Sequence, residues 1–278
     1  MRMAGSSAAH AVGRGVLFDI DGVLVTSWSP LPGAREALEW VRARGARRAF
    51  LTNTTSKTGD DIAGALRACG LDVDGGEIVT AARLTGEYLR GAYPGARVHV
   101  LTDGPVGDLG AGFELVPADA AAPDVVVLGG AGPAFTHYAL SRVFEFMLAG
   151  VPVVAMHRSN AWATAEGQRI DTGLYLEGLC RATGVTPTVI GKPSPVGFRA
   201  AAELMGLDPT AIVMVGDDVR ADVLAGQVSG MTGVLVRTGK FRQAALDTVE
   251  GDEFGLVPDH VIDGVGDLPT LLADLWGC

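Results

Sequence analysis

Short runs of Val, Leu, Ile and Phe alternate along this chain with Ala- and Leu-rich stretches whose apolar positions recur at helical spacing. The alternation predicts an α/β fold built from βαβ units around a parallel sheet, because a strand buried on both faces reads as a continuous apolar run. Core strands are expected at Gly15–Asp21, Arg47–Thr52, Thr188–Ile190, Ala211–Gly216 and Gly233–Arg237, with helices near Gly33–Arg44, Gly59–Cys69, Pro195–Met205 and Ala221–Gly226. Between the second and third of these strands lies a stretch with a βαβ rhythm of its own: strands Arg97–Leu101, Val125–Leu128 and Val151–Ala155, helices Thr136–Ala149 and Leu174–Thr183. An insert of about a hundred residues can bury its own core. The expected organisation is therefore a core domain in two parts, 1–82 and 188–278, interrupted by an inserted α/β domain over 83–187.

Composition narrows the class. The chain has 278 residues, is 48% hydrophobic and 19% charged, and carries a net charge of −10, which fits a globular protein with one large or two medium domains. No clustered Lys/Arg footprint appears, so a nucleic-acid surface is not expected. The three cysteines, Cys69, Cys180 and Cys278, are isolated and odd in number, matching neither a zinc pattern nor a disulfide framework. A reducing, cytoplasmic setting is expected. No apolar run reaches the roughly 20 residues of a membrane helix. The opening Met1–Gly15 lacks the apolar centre of a signal peptide and reads as a mobile tail.

Polar clusters stand where the core strands end, which is where open α/β sheets collect their functional groups. Val16-Leu17-Phe18-Asp19-Ile20-Asp21-Gly22 delivers two carboxylates that lean to one side and repel unless a cation neutralises them; alternatively it is a solvated Asp-Gly turn. Leu51-Thr52-Asn53-Thr54-Thr55 offers a hydroxyl, an amide and turn N–H groups that could cradle a tetrahedral anion, or simply cap a helix. Ile190-Gly191-Lys192-Pro193 aims an ammonium from a stiffened loop. Val215-Gly216-Asp217-Asp218-Val219-Arg220-Ala221-Asp222 is either a hard-cation site or an acidic helix start. The segment Leu128-Gly129-Gly130-Ala131-Gly132-Pro133 misses the dinucleotide-loop spacing and reads as a strand-to-helix turn.

The ordered set D-x-D-G, T-N, K-P and G-D-D-x-x-x-D, each after an apolar strand, resembles the haloacid dehalogenase superfamily of aspartate-nucleophile phosphatases. The resemblance covers nearly the whole chain. The insert between the T-N and K-P motifs is similar to the C2-type α/β cap of the NagD-like subclass IIA. Phe135-Thr136-His137-Tyr138 and Val236-Arg237-Thr238-Gly239-Lys240 look most like the branch containing the phospholysine/phosphohistidine/pyrophosphate phosphatase. The resemblance implies a Rossmann-like core and a Mg²⁺-dependent phosphatase. Asp19 is then the nucleophile that carries the phosphoryl group, and Asp21 the general acid and base. Mg²⁺ is held by Asp19, the backbone carbonyl of Asp21 and Asp217. Gly22, Thr52, Asn53 and Lys192 bind the phosphate, and Asp218 or Asp222 orients Lys192 or metal-bound water.

Substrate choice falls to the insert, since the core motifs are occupied by phosphate and metal. His157 and Arg158, at the end of an insert strand, are the candidate contacts to the leaving group, with a solvated loop as the alternative. The expected substrate is a small phosphorylated metabolite, a phosphoramidate or pyrophosphate. A phospho-ligand-binding or regulatory protein with little turnover is the alternative of another class. A receiver-type phosphoacceptor would be shorter and lack the insert. Inserts of this size often leave apolar faces that pair, so a homodimer is also among the expectations.

Overall fold

The computed structural model describes residues 13–164, 167–250 and 255–277. Most of the expected tail and Cys278 lie outside the described residues. Two parallel sheets organise the chain. The first has six strands in the order His260–Ile262, Thr232–Val236, Ile212–Gly216, Gly15–Phe18, Arg47–Thr52, Ile78–Thr80, every neighbouring pair parallel. The second has five, in the order Thr188–Val189, Val153–Ala155, Val125–Leu128, Arg97–Leu101, Glu114–Leu115, also parallel throughout. Gly15–Phe18 and Val125–Leu128 are buried along their whole lengths, as their unbroken apolar sequences require.

Alternation along the central strand divides the core into two layers. Val16 and Phe18 face Leu38, Val41, Ile62, Leu66 and Leu272 on one side, and Phe18 stacks on Phe50 at 5.7 Å between centroids. Leu17 faces Leu51, Phe198, Met205 and Met214 on the other. That second cluster continues through Leu84 and Leu89 of helix Ala81–Ala92 into Val98, Val125, Val127 and Val154 of the second sheet. The helix is thus the joint between core and cap. The outer face of the cap sheet is covered by helices His137–Leu148 and Thr172–Thr183.

Three expectations change. Thr188–Ile190, expected in the core sheet, supplies Thr188–Val189 to the edge of the cap sheet, and the chain crosses to the core only after it. The helix expected over Ala221–Gly226 is a π turn, Val219–Leu224, followed by the short helix Ala225–Val228. The strands Ile78–Thr80 and His260–Ile262 and the hairpin pairing Ala161–Thr164 with Gly167–Ile170 have no counterpart in the expected elements. Among the described residues no helix is long and apolar enough to cross a membrane.

Candidate active site

Four polar segments converge at the C-terminal edge of the core sheet. Asp19 follows the central strand, and its N–H donates to Val215 O at 2.9 Å, so its position is fixed by one more rung of the ladder. The chain then turns through Gly22, whose N–H donates to Val25 O at 2.7 Å, into a small hairpin, Val25–Thr26 against Ser29–Pro30. Asp217 follows the neighbouring strand on one side, and Thr52 ends the neighbour on the other. Lys192 enters from the cap side. Its backbone is clasped by the Asn53 side chain, which accepts from Lys192 N–H at 2.9 Å and donates to Lys192 O at 3.0 Å.

The Lys192 ammonium is buried and lies 2.6 Å from both Asp19 Oδ1 and Asp222 Oδ1. Burial works against its charge, yet the two carboxylates hold its pKa above the usual lysine range. Asp222 therefore positions Lys192. Asp218 instead caps the π turn, accepting from the N–H groups of Arg220 and Ala221 at 3.0 and 2.9 Å. The wide turn returns Asp222 to the site, where its Oδ2 also accepts from Asp218 N–H at 3.1 Å.

The charge balance is unfavourable without a further cation. Burial pushes the Asp217 carboxyl up to about 8, with Asp19 and Asp222 adding to the effect. Burial likewise raises Asp19 to about 6, against the pull of Lys192. Oxygens of Asp19, Asp217 and Asp222 lie within 4.8 Å of one another. Asp217 Oδ2 accepts from Lys240 N–H at 2.6 Å, but its Oδ1 is buried with no partner among the described residues. An orphaned anionic oxygen among buried carboxylates is a donor set suited to a hard divalent cation.

Asp21 does not share this cluster through its side chain. Its carboxylate accepts from Thr54 Oγ1 at 3.3 Å, and Thr54 Oγ1 in turn accepts from Thr52 Oγ1 at 2.9 Å. Two neighbouring carboxylates are thus held in different environments, one against an ammonium and one against a hydroxyl chain. Gly22, at φ 88°, brings its backbone so close to Asp217 that a Cβ there would lie 1.9 Å from Oδ2. Thr238 Oγ1 donates to Gly22 O, so the Thr238–Lys240 loop closes over both segments.

The cap meets this edge at several points. Thr55 Oγ1 accepts from Gly130 N–H at 3.0 Å, giving the glycine-rich turn a docking role, and Gly191 N–H donates to Met156 O at 2.8 Å. His157 follows Met156 and is buried, accepting from Ser159 N–H with Nδ1 at 3.2 Å and lying 4.0 Å from Asp171. Burial keeps its imidazole below the usual histidine range. Arg158 is exposed, and its charge is felt at Cys180 on a cap helix. The structure therefore gathers Asp19, Asp21, Gly22, Thr52, Asn53, Lys192, Asp217 and Asp222 and leaves Asp218 and Arg158 outside. Thr54 and Lys240 belong to the site without having been assigned a role from sequence; both stand just beyond an apolar strand, the signal that marked the others.

Comparison with known proteins agrees. Residues 16–110 match the haloacid dehalogenase-like hydrolase family model, and residues 189–268 match a HAD-hydrolase-like one. The chain is 32% identical over 258 residues to haloacid dehalogenase-like hydrolase domain-containing protein 2 of Bos taurus, covering 90% of this chain and 96% of that one. It is 32% identical over 235 residues to the phospholysine phosphohistidine inorganic pyrophosphate phosphatase of Rattus norvegicus, covering 82% and 84%. Among solved structures it is similar to a p-nitrophenyl phosphatase from Archaeoglobus fulgidus, with TM-score 0.83, 29% identity and coverage of 93% and 99%. NagD from E. coli K-12 gives TM-score 0.80, 29% identity and coverage of 92% and 98%. The chain belongs to the haloacid dehalogenase-like hydrolases, in their NagD-like phosphatase branch.

Proposed function

We propose that this phosphatase is Mg²⁺-dependent and hydrolyses a small phosphorylated substrate through a phosphoryl group carried on Asp19. The observation that carries the reading is the orphaned Asp217 Oδ1 beside an Asp19 already fixed by Lys192. Asp19, Asp217 and the backbone carbonyl of Asp21 are the proposed Mg²⁺ ligands. Bound there, the ion would neutralise the carboxylates and draw charge from a phosphoryl oxygen.

The protein groups divide the remaining work. Asp19 attacks phosphorus, the bond to the leaving group breaks, and the Asp21 carboxyl gives its proton to the departing atom. Asp21, now a carboxylate, takes a proton from the water that attacks the aspartyl-phosphate, releasing inorganic phosphate and restoring Asp19. Lys192, Thr52 and the backbone N–H groups after Thr52 offset the charge on the equatorial oxygens. Thr54 holds Asp21 between its two tasks. His157, buried where the cap meets the core, is the proposed contact to the leaving group; Arg158, exposed, is the weaker candidate.

Release of p-nitrophenol from its phosphate ester tests the reading. Activity should require Mg²⁺ and fall by at least about a thousandfold in Asp19→Asn, whose amide keeps the shape but not the nucleophile. Acid-quenched wild-type protein should carry one phosphoryl group on the Asp19 peptide. Undiminished turnover in Asp19→Asn would overturn the mechanism. Tight phosphate binding with no turnover in the wild type would instead favour a phospho-ligand-binding protein.

A further inference from the structure

Lys192 and Lys240 are the two ammonium groups whose charges act on Asp19, Lys240 acting on Asp217 as well, and they are held in different ways. Lys192 is committed: both its carboxylate partners lie 2.6 Å away and its side chain is buried. Lys240 is tethered only by its backbone, through the 2.6 Å N–H contact to Asp217. Among the described residues its ammonium makes no hydrogen bond and no ion pair. The residue is exposed, yet its charge is felt on the core side at Asp19, Asp217 and Asp222 and on the cap side at His157. Gly239, at φ 60°, and Thr238, bonded to Gly22 O, fix the loop that presents it. A cation carried on a loop tied to Asp217 and Gly22, with no anion bound to it among the described residues, is placed for charge that arrives with the substrate.

We propose that Lys240 is a specificity-determining residue that binds an anionic group on the leaving-group side of the scissile phosphate. Phosphates whose leaving group bears a carboxylate or a second phosphate are then preferred over those with a neutral one. The inference rests on the phosphatase reading above. It also explains why the second cation is unpaired among the described residues: a salt-bridged Lys240 would have to exchange one anion for another, and the gain would be small.

A matched pair of esters tests it: phosphoglycolate, with a carboxylate on the leaving group, and 2-hydroxyethyl phosphate, with a neutral hydroxyl. The wild type should prefer the first, with a ratio of kcat/KM that shrinks as salt is added. Lys240→Gln should reduce that ratio by about tenfold, chiefly through KM, and Lys240→Arg should restore most of it. An unchanged ratio, or an equal loss on both esters, would overturn the proposal, since damage to the Asp217 tether alone lowers both together. Calorimetric binding of phosphonoacetate and ethylphosphonate with Mg²⁺ reads the same contrast without turnover. If neither ester is hydrolysed, turnover of p-nitrophenyl phosphate decides the phosphatase reading, and this second pair still decides the role of Lys240. A phosphonoacetate preference abolished in Lys240→Gln supports the role of Lys240, and equal binding removes it.

Discussion

Lys192 separates two buried carboxylates that would otherwise face each other, so its removal strands charge rather than merely deleting a contact. Lys192→Met should cost about 3–5 kcal/mol in urea denaturation at pH 8 without Mg²⁺, and less near pH 5 as the carboxyls take up protons. Asp217 gives a pH dependence of definite sign. Its carboxyl sits at about 8 in the folded protein against 3.8 in the unfolded chain, so stability is intact below about pH 4 and is lost as pH rises through 8. Asp19, raised to about 6, acts in the same direction over the lower part of that window. Melting temperatures without metal should therefore fall between pH 5 and pH 8, and the gain on adding Mg²⁺ should widen over the same interval; a constant gain would count against the cation site. Strand-end position made Asp19, Asp21, Thr52, Lys192 and Asp217 legible in the sequence. It could not separate Asp218 from Asp222, because that choice depends on a π turn whose pitch no local pattern encodes. Nor could it reveal that Asn53 serves Lys192 through its side chain, a contact spanning the entire cap.

The elements that were legible are those with enough apolar positions to declare a period. Ile78–Thr80 has three residues and His260–Ile262 is half-buried at the sheet edge, so neither offers one. The hairpin strand Gly167–Ile170 is exposed at every position and carries no buried face to read. Thr188–Val189 was misplaced for another reason: two edge residues state that a strand exists but not which sheet it joins. The small hairpin after Asp21 is built against local preference. Its loop is Ser27–Trp28, both at positive φ, where two-residue turns ordinarily use Asn and Gly. Trp28 is retained by packing on the core and by Lys57, whose ammonium lies 5.5 Å from the ring centroid. Ser27 is exposed, so Ser27→Asn should relieve strain at no packing cost, raising the melting temperature by about 1–3 °C in a thermal scan.

At the scale of the molecule, core and cap are joined by a continuous apolar cluster and pinned by polar contacts beside the site. Asp108, on the cap side of that joint, accepts from Gly59 N–H at 3.0 Å and from Thr80 Oγ1 at 2.7 Å. Asp108→Ala should leave both donors unpaired, cost about 1–3 kcal/mol, and speed hydrogen exchange at the Gly59 amide; exchange at the wild-type rate would show that the apolar joint suffices. The two-part core was visible in the sequence because an insert of its size needs its own hydrophobic centre, whereas the contacts that close it on the core bring together residues far apart in the chain. The strand order carries a consequence for biosynthesis. Gly15–Phe18 is central, with Arg47–Thr52 on one side and Ile212–Gly216 on the other. A growing chain therefore exposes Asp19 early, beside a strand edge that stays unpaired until the whole cap has been made. The acids that complete the site arrive only with the final third of translation, so a nascent or prematurely terminated chain holds the proposed nucleophile with nothing yet to activate it.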